Sequence, residues 1–264
     1  MKLGLSIIIA TYNSEKTLEK TLKTLLDQTY QNFEVIIVDG LSKDNTILII
    51  KEYENKFKHL NIPYYWSSEK DSGIYDAWNK GITKVNSNWI AFLGSDDIYY
   101  PDALETYANE IQKQSNINYV SSKVELINED NEVLKIIGKP FNFNQMIRYM
   151  NIAHVGSFHH KSLFDNFGNF NTSYKIVGDY DFFLRCGKNI NAGYINKITA
   201  KMLNSGVSNN NVKKVLNETL KTQLNHKLRC CSFVCYLEYY LSHLKAIFRK
   251  IYFLITVRKS YKKH

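Results

Sequence analysis

The sequence of 264 residues lacks the two glycine-rich motifs with which many α/β proteins hold phosphate groups. No Gly-x-Gly-x-x-Gly follows the first predicted strand, which argues against a dinucleotide-dependent oxidoreductase. A Gly-x-x-x-x-Gly-Lys loop is also missing, which argues against a nucleotide-hydrolysing motor. A nucleotide ligand would therefore have to be held by other groups, such as carboxylates and a metal ion.

Cysteine is scarce, and its distribution excludes a disulfide scaffold. Of the four cysteines, Cys230, Cys231 and Cys235 crowd one late segment, and together with His226 they match no common zinc spacing. The first residues lead directly into an apolar strand, without the pattern of a signal peptide. We therefore expect a cytoplasmic protein.

The net charge of +9 comes from the end of the chain, where residues 212–264 hold twelve Lys or Arg and two Glu. Residues 233–257 carry too many charges to span a bilayer. A basic amphipathic tail is typical of contact with an anionic membrane surface, so we expect that partner and no nucleic acid. The alternative is that the tail packs on the rest of the chain or on a second copy, as a homodimer. Its apolar stripe consists of Leu237, Leu241, Leu244, Phe248, Ile251 and Ile255.

Apolar runs and amphipathic helices alternate along the first half of the chain. Buried strands are predicted at residues 5–10, 33–38, 62–66 and 89–93. Ser14 is placed to cap the first intervening helix, and Ile74 falls on the apolar stripe of the third. Strand–helix alternation predicts parallel pairing with right-handed crossovers.

An antiparallel hairpin is predicted at residues 118–137, and a further strand at 193–203. The fold class is therefore α/β, with a mostly parallel, Rossmann-like sheet flanked by helices and a small antiparallel element. This domain would occupy residues 1–211, and a basic amphipathic helical tail would occupy residues 212–264.

Carboxylates follow the ends of the predicted strands: Asp39, Asp71 and the adjacent pair Asp96 and Asp97. The carboxyl ends of parallel strands meet at one edge of a sheet, so these side chains should converge on one crevice. Adjacent carboxylates repel each other, and a divalent cation carrying a phosphorylated substrate would relieve that repulsion. The alternative is an Asp-Asp loop that only turns the chain. Group transfer from an activated nucleotide uses such a metal ion, with one further carboxylate as base.

Five segments in order resemble those of a known family: SIIIATYN, VDGLSKDNT, SEKDSGIYDAWNKGI, LGSDD and VGDYDFFLR. Over about residues 3–210, the chain resembles the family 2 glycosyltransferases, which have the GT-A fold and are common in bacterial O-antigen and capsule synthesis. The Gln-x-x-Arg-Trp signature of processive synthases is absent. The resemblance therefore implies an enzyme that adds one sugar and releases its product.

The resemblance also implies roles for the matched residues on the donor side. Asp39 would meet the uracil or ribose, and Asp71 would contact the nucleotide. Asp96 and Asp97 would hold Mn²⁺ or Mg²⁺, and Asp96 would also face the donor. The remaining donor contacts would be Thr11, Tyr12, Asn13 and Ser95; Tyr12 and Asn13 could instead cap a helix.

On the acceptor side, Asp179 would be the catalytic base, with Asp181 as the alternative. His154 would be a metal or acceptor contact, unless it is a structural histidine. Two positions depart from the common pattern. Gly94 replaces the first acid of the Asp-x-Asp region, and Gly178 stands where many relatives carry Glu.

The resemblance finally implies a hexosyltransferase that inverts the anomeric configuration. The donor would be a UDP-hexose or UDP-HexNAc, and the acceptor an undecaprenyl-diphosphate-linked saccharide at the inner face of the cell membrane. Two other readings stay open at this point. One is a sugar nucleotidyltransferase, and the other is a non-catalytic module that binds glycans or a lipid surface.

Overall fold

The computed structural model describes residues 3–204, 211–227 and 233–246. The chain divides into two compact units, Met1–Ser205 and Gly206–His264. The first unit contains the predicted strands and all five motif segments. The second unit contains the basic tail.

Nine strands form one sheet in the described part of the first unit. In chain order they are β1 Leu5–Thr11, β2 Phe33–Asp39, β3 Tyr64–Ser68, β4 Trp89–Gly94, β5 Ile98–Tyr99, β6 Tyr119–Ile127, β7 Val133–Ile137, β8 Ser157–His160 and β9 Ala192–Leu203. The main path of the sheet is β3-β2-β1-β4-β8-β6-β9-β5, and β7 pairs with β6.

The two halves of the sheet differ in strand direction. Strands β3, β2, β1 and β4 are parallel, as strand–helix alternation predicts. Strand β8 lies antiparallel between β4 and β6, whereas β6 and β9 are parallel. The predicted hairpin is present as β6 and β7, but the antiparallel part extends beyond it. Strand β8 has only four residues, too few for a periodic pattern to reveal it.

Helices cover the sheet, and their apolar faces build the core. In chain order they are α1 Leu18–Leu26, α2 Thr46–His59, α3 Ile74–Ile82, α4 Ala103–Lys113, α5 Phe143–Met146, α6 Lys161–Phe167 and α7 Gly178–Cys186. Strands β1, β2 and β4 are buried at almost every position because helices and strands enclose both faces.

Two local predictions are wrong. Helix α1 begins at Leu18 with Thr17 as its N-cap residue, one turn later than a Ser14 cap would require. The Ser14 hydroxyl instead contacts the Ser95 hydroxyl at 2.9 Å, which ties the β1 loop to the β4 loop. Ile74, the first residue of helix α3, is 41% exposed and does not belong to the buried face of that helix.

The second unit contains a helix at Val212–His226 and helical residues 233–246. Tyr239 Oη donates to Asn217 Oδ1 at 2.7 Å, which joins the two helical segments. None of the described helices combines the length and hydropathy that a membrane span requires. The predicted stripe residues Phe248, Ile251 and Ile255 lie outside the described residues. The described residues of the stripe, Leu237, Leu241 and Leu244, are exposed, and so are the neighbouring aromatic residues Phe233 and Tyr240.

Candidate active site

The adjacent carboxylates lie directly after strand β4 and crowd over Gly94. A Cβ atom placed on Gly94 would lie 2.5 Å from Asp97 Oδ2 and 2.9 Å from Asp96 Oδ1. The Gly94 N–H donates to Asp97 Oδ2 at 2.9 Å. The two carboxylate oxygens therefore converge on the space that any side chain at position 94 would fill, which explains the glycine there.

Burial makes it energetically unfavourable for both carboxyl groups of this pair to be ionised. Asp97 is 6% exposed, and burial, followed by the charge of Asp96, raises the pKa of Asp97 to about 8. Burial also raises the pKa of Asp96, which is only partly exposed. A divalent cation between such carboxylates would take the place of a proton and balance the charge.

A crevice of about 670 Å³ opens in front of Asp96. It is framed by the loops that follow β1, β2 and β4. Lys16 and Lys43 supply positive charge to it, and neither was singled out from the sequence. The sequence could have pointed to Lys43, because it is the one basic residue of the segment VDGLSKDNT. The wall also includes Asn13, Ser14, Glu15, Thr17, Asp44, Ser95, Asp96 and Leu203.

Asp39 ends strand β2 and is completely buried. Its Oδ1 accepts from the Thr11 hydroxyl at 3.0 Å and from the Ser42 hydroxyl at 2.5 Å. Its Oδ2 accepts from the Ser42 N–H at 2.9 Å and from the Ser68 hydroxyl at 2.7 Å. Asp39 thus holds the ends of β1, β2 and β3 together. The predicted nucleotide contact would require one of these hydroxyls to turn away, and it stays a prediction.

Tyr12 and Asp71 both lie close to Gly40. Tyr12 is 61% exposed, and its Cδ2 lies 3.4 Å from the position of a Cβ on Gly40. Asp71 Oδ2 lies 2.6 Å from that position, so only glycine allows the approach. Asp71 Oδ1 accepts from the Gly73 N–H at 2.9 Å, before helix α3. The structure therefore brings an exposed aromatic ring and a carboxylate together at the end of β2.

The loops after β1 and β2 are hydrogen-bonded to each other. Asn13, at a φ of 48°, donates its N–H to Ser42 Oγ at 2.8 Å and accepts from the Lys43 N–H at 2.9 Å. The Ser14 N–H donates to Thr46 Oγ1 at 2.7 Å. The side chain of Asn13 therefore fixes the neighbouring loop and does not cap a helix.

Asp179 lies in the first turn of α7 and is partly exposed. Its Oδ1 accepts from the Tyr180 N–H at 2.9 Å and from the Tyr75 hydroxyl at 3.1 Å. By contrast, Asp181 is 4% exposed and forms an ion pair with Arg185 at 3.1 Å. Arg185 also donates to the backbone carbonyls of Phe167, Gly168 and Asn169. These contacts occupy Asp181 in joining α6 to α7, which favours Asp179 as the base.

His154 lies in a buried aromatic cluster. Its ring stacks on Trp78 at 5.1 Å and on Phe92 at 5.5 Å between centroids. Burial lowers the pKa of His154, so the ring is neutral, and its Nε2 is buried without a hydrogen-bond partner. Among the described residues, no three His, Cys, Asp or Glu side chains form a group that could hold a metal ion. The structure therefore does not combine His154 with Asp96 and Asp97 into one ligand set.

Comparisons with known sequences agree with this geometry. The family model described as Glycosyl transferase family 2 matches residues 6–167. A PGL/p-HBAD biosynthesis glycosyltransferase of Mycobacterium bovis is 31% identical over 185 residues, 70% of this chain and 70% of that protein. The Escherichia coli UDP-Glc:alpha-D-GlcNAc-diphosphoundecaprenol beta-1,3-glucosyltransferase WfgD is 28% identical over 181 residues, 68% of this chain and 67% of WfgD.

Solved structures show the same fold at low sequence identity. The structure of S. aureus TarS matches with a TM-score of 0.66 and 20% identity, over 92% of this chain and 72% of that chain. The mannosyltransferase PcManGT from Pyrobaculum calidifontis, solved with GDP-Man and Mn²⁺, gives a TM-score of 0.65 at 15% identity, over 90% of this chain and 69% of that chain. The fold is therefore of the GT-A type, and the chain belongs to glycosyl transferase family 2.

Proposed function

We propose that this protein is a metal-dependent, inverting and non-processive glycosyltransferase. It moves one sugar from a UDP-hexose or UDP-HexNAc to a lipid-linked saccharide in bacterial surface polysaccharide synthesis. The observation that carries the proposal is the carboxylate pair over Gly94, of which Asp96 lines a crevice formed by the loops after β1, β2 and β4.

The residues present fit a divalent cation. Mg²⁺ and Mn²⁺ are commonly held by one or two carboxylates, and phosphate and water oxygens complete the shell. Asp96 and Asp97 supply two carboxylates whose oxygens converge on one space, and burial of Asp97 favours charge compensation there. When bound, the cation would stabilise the negative charge that develops on the departing diphosphate.

The remaining groups divide between donor and acceptor. In this proposal the nucleoside binds beside Tyr12 and Asp71, which lie close together at Gly40. Lys16 and Lys43 bring positive charge to the crevice. Asp179 takes the proton of the acceptor hydroxyl as its oxygen bonds to the anomeric carbon. The bond from that carbon to the UDP oxygen breaks, and UDP leaves with the electron pair. An α-linked D-hexose donor therefore gives a β-linked product.

The exposed face of helical residues 233–246 supports a membrane-associated acceptor. Phe233 is 67% exposed, Tyr240 is 62% exposed and Leu244 is 50% exposed. They belong to a tail, residues 212–264, that holds twelve Lys or Arg and two Glu. Apolar side chains beside basic ones favour an anionic lipid surface. We therefore propose that the enzyme is peripheral on the inner face of the cell membrane and uses an undecaprenyl-diphosphate-linked saccharide. The name of WfgD specifies an acceptor of this chemistry for that relative.

The test is UDP release from a panel that includes UDP-glucose and UDP-galactose, with and without Mn²⁺ and with synthetic lipid-diphosphate saccharides. Metal-dependent UDP release is expected, and the product should be β-linked. Asp179→Asn should lower kcat by at least about 100-fold. The exposed, matched variant Asp165→Asn should keep wild-type activity. Pyrophosphate release from UTP and a sugar phosphate would instead reveal a nucleotidyltransferase, and an α-linked product would contradict the role of Asp179.

A further inference from the structure

Tyr75 connects helix α3 to the first turn of α7. The side chain is 4% exposed, and its hydroxyl lies 2.6 Å from the Ile176 carbonyl oxygen and 3.1 Å from Asp179 Oδ1. A phenol has one hydroxyl proton, and here the backbone carbonyl and the carboxylate share it as acceptors. Burial, followed by the charge of Asp179, raises the pKa of Tyr75 well above its usual value, so the phenol keeps that proton.

The ring of Tyr75 also fills the space beside Gly178. A Cβ on Gly178 would lie 2.8 Å from Tyr75 Cδ2 and Cε2, and 2.9 Å from Cγ. The residue before the base must therefore be glycine as long as the ring occupies this place. Gly178, where many relatives carry Glu, is therefore explained by the Tyr75 ring that packs against it.

The two oxygens of Asp179 are held unequally. Oδ1 receives both the Tyr180 N–H and the Tyr75 hydroxyl. Among the described residues, no donor contacts Oδ2. A carboxylate fixed through one oxygen keeps its rotamer and presents the other oxygen to a substrate.

We infer that Tyr75 is a positioning residue that fixes Asp179 through Oδ1, so that Oδ2 is the oxygen that receives the acceptor proton. This inference rests on the proposed glycosyl transfer, in which Asp179 is the base. Tyr75 itself contacts Asp179 and not the reacting atoms.

Other titratable groups face Asp179 from the surrounding elements. His154, before β8, is neutral because burial lowers its pKa, and burial raises the pKa of the Tyr119 phenol on β6. On α7 itself, Asp181 is paired with Arg185. These neighbours are neutral or ion-paired, which leaves Asp179 as the base in the proposed transfer.

The experiment compares Tyr75→Phe with wild type in the UDP-release assay. The variant keeps the ring against Gly178 and removes only the hydroxyl. We expect kcat to fall about threefold to tenfold with little change in the KM of the donor. Gly178→Ala should push the ring away and lower kcat in the same way.

Tyr107→Phe is the matched control, because its buried hydroxyl contacts Ser122 and Thr199 in the core. It should lower the melting temperature without lowering kcat. An unchanged kcat in Tyr75→Phe would overturn the inference, as would a fall in kcat equal to that of Tyr107→Phe. An inactive wild-type protein would instead count against the proposed function, so the two failures are distinguishable.

Discussion

Protons and the metal ion should compete for Asp97, and pH is the perturbation that shows it. Burial and the charge of Asp96 raise the pKa of Asp97 to about 8, so below that pH the carboxyl of the metal-free protein is mostly protonated. A cation must then displace a proton to bind. Each pH unit below about 8 should therefore weaken Mn²⁺ binding about tenfold, with about one proton released per ion.

The measurement is calorimetric titration of Mn²⁺ into the full-length protein at about pH 6 and about pH 7, in two buffers with different ionisation enthalpies. Asp97→Asn is the control, because it removes both the ligand and the titrating group; its residual binding should show a much smaller pH slope. Equal wild-type affinity at the two pH values, without proton release, would refute the assignment of the raised pKa to the metal site.

The same group makes a prediction for the metal-free protein. The folded state holds a proton on Asp97 up to about pH 8, whereas the unfolded chain loses it near its usual value of about 4. The free energy of unfolding contributed by this group should therefore fall as the pH rises through that interval. Urea titrations should show this decline in wild type and a flatter profile in Asp97→Asn.

Three further predictions concern separate parts of the chain. Glu34→Ala should lower the free energy of unfolding by about 3 kcal/mol, because the buried Glu34 accepts hydrogen bonds from Ser6, Asn86 and Ser87. Urea unfolding measures this loss, and a change under about 0.5 kcal/mol would argue against the network. Gly94→Ala should displace both carboxylates and weaken Mn²⁺ binding at least about tenfold. Gly193→Ala is the control and should leave Mn²⁺ binding unchanged, because its Cβ meets only core side chains and the end of Gln114. Equal Mn²⁺ affinities of the two variants would contradict the crowding at Gly94. Replacing both Leu237 and Leu244 by Asp should reduce cosedimentation with anionic phosphatidylglycerol vesicles by at least about tenfold without affecting UDP release, and unchanged vesicle binding would place the lipid contact elsewhere.

The sequence predicts the part of the site that follows parallel strands. Asp39, Asp71 and Asp96 each follow a strand or lie near its end, and the parallel order of β1 to β4 puts those strand ends at one edge of the sheet. The motif series adds Asp179, which lies on helix α7 and does not directly follow a strand. Its position depends on α7 packing near the start of α3, a contact between residues more than 100 positions apart.

Other features of the site could not be predicted, because they depend on distances that sequence spacing does not encode. Three hydroxyl groups donate hydrogen bonds to Asp39, and they reach it only because β1, β2 and β3 pair in one particular register. In the sequence, Gly94 and Gly178 only mark positions where relatives often carry an acid. In the structure, Gly94 leaves room for the carboxylates of Asp96 and Asp97, and Gly178 leaves room for the Tyr75 ring.

The hydrogen bonds between the loops after β1 and β2 have a consequence for the entropy of donor binding. Asn13, Ser42 and Thr46 hold these loops in one conformation in the protein without its donor. A flexible loop would lose about 1–2 kcal/mol of backbone entropy for each residue that a ligand orders. In this protein that loss occurs during folding, so a nucleotide sugar meets a wall that is already ordered, and more of its contact energy is available for affinity.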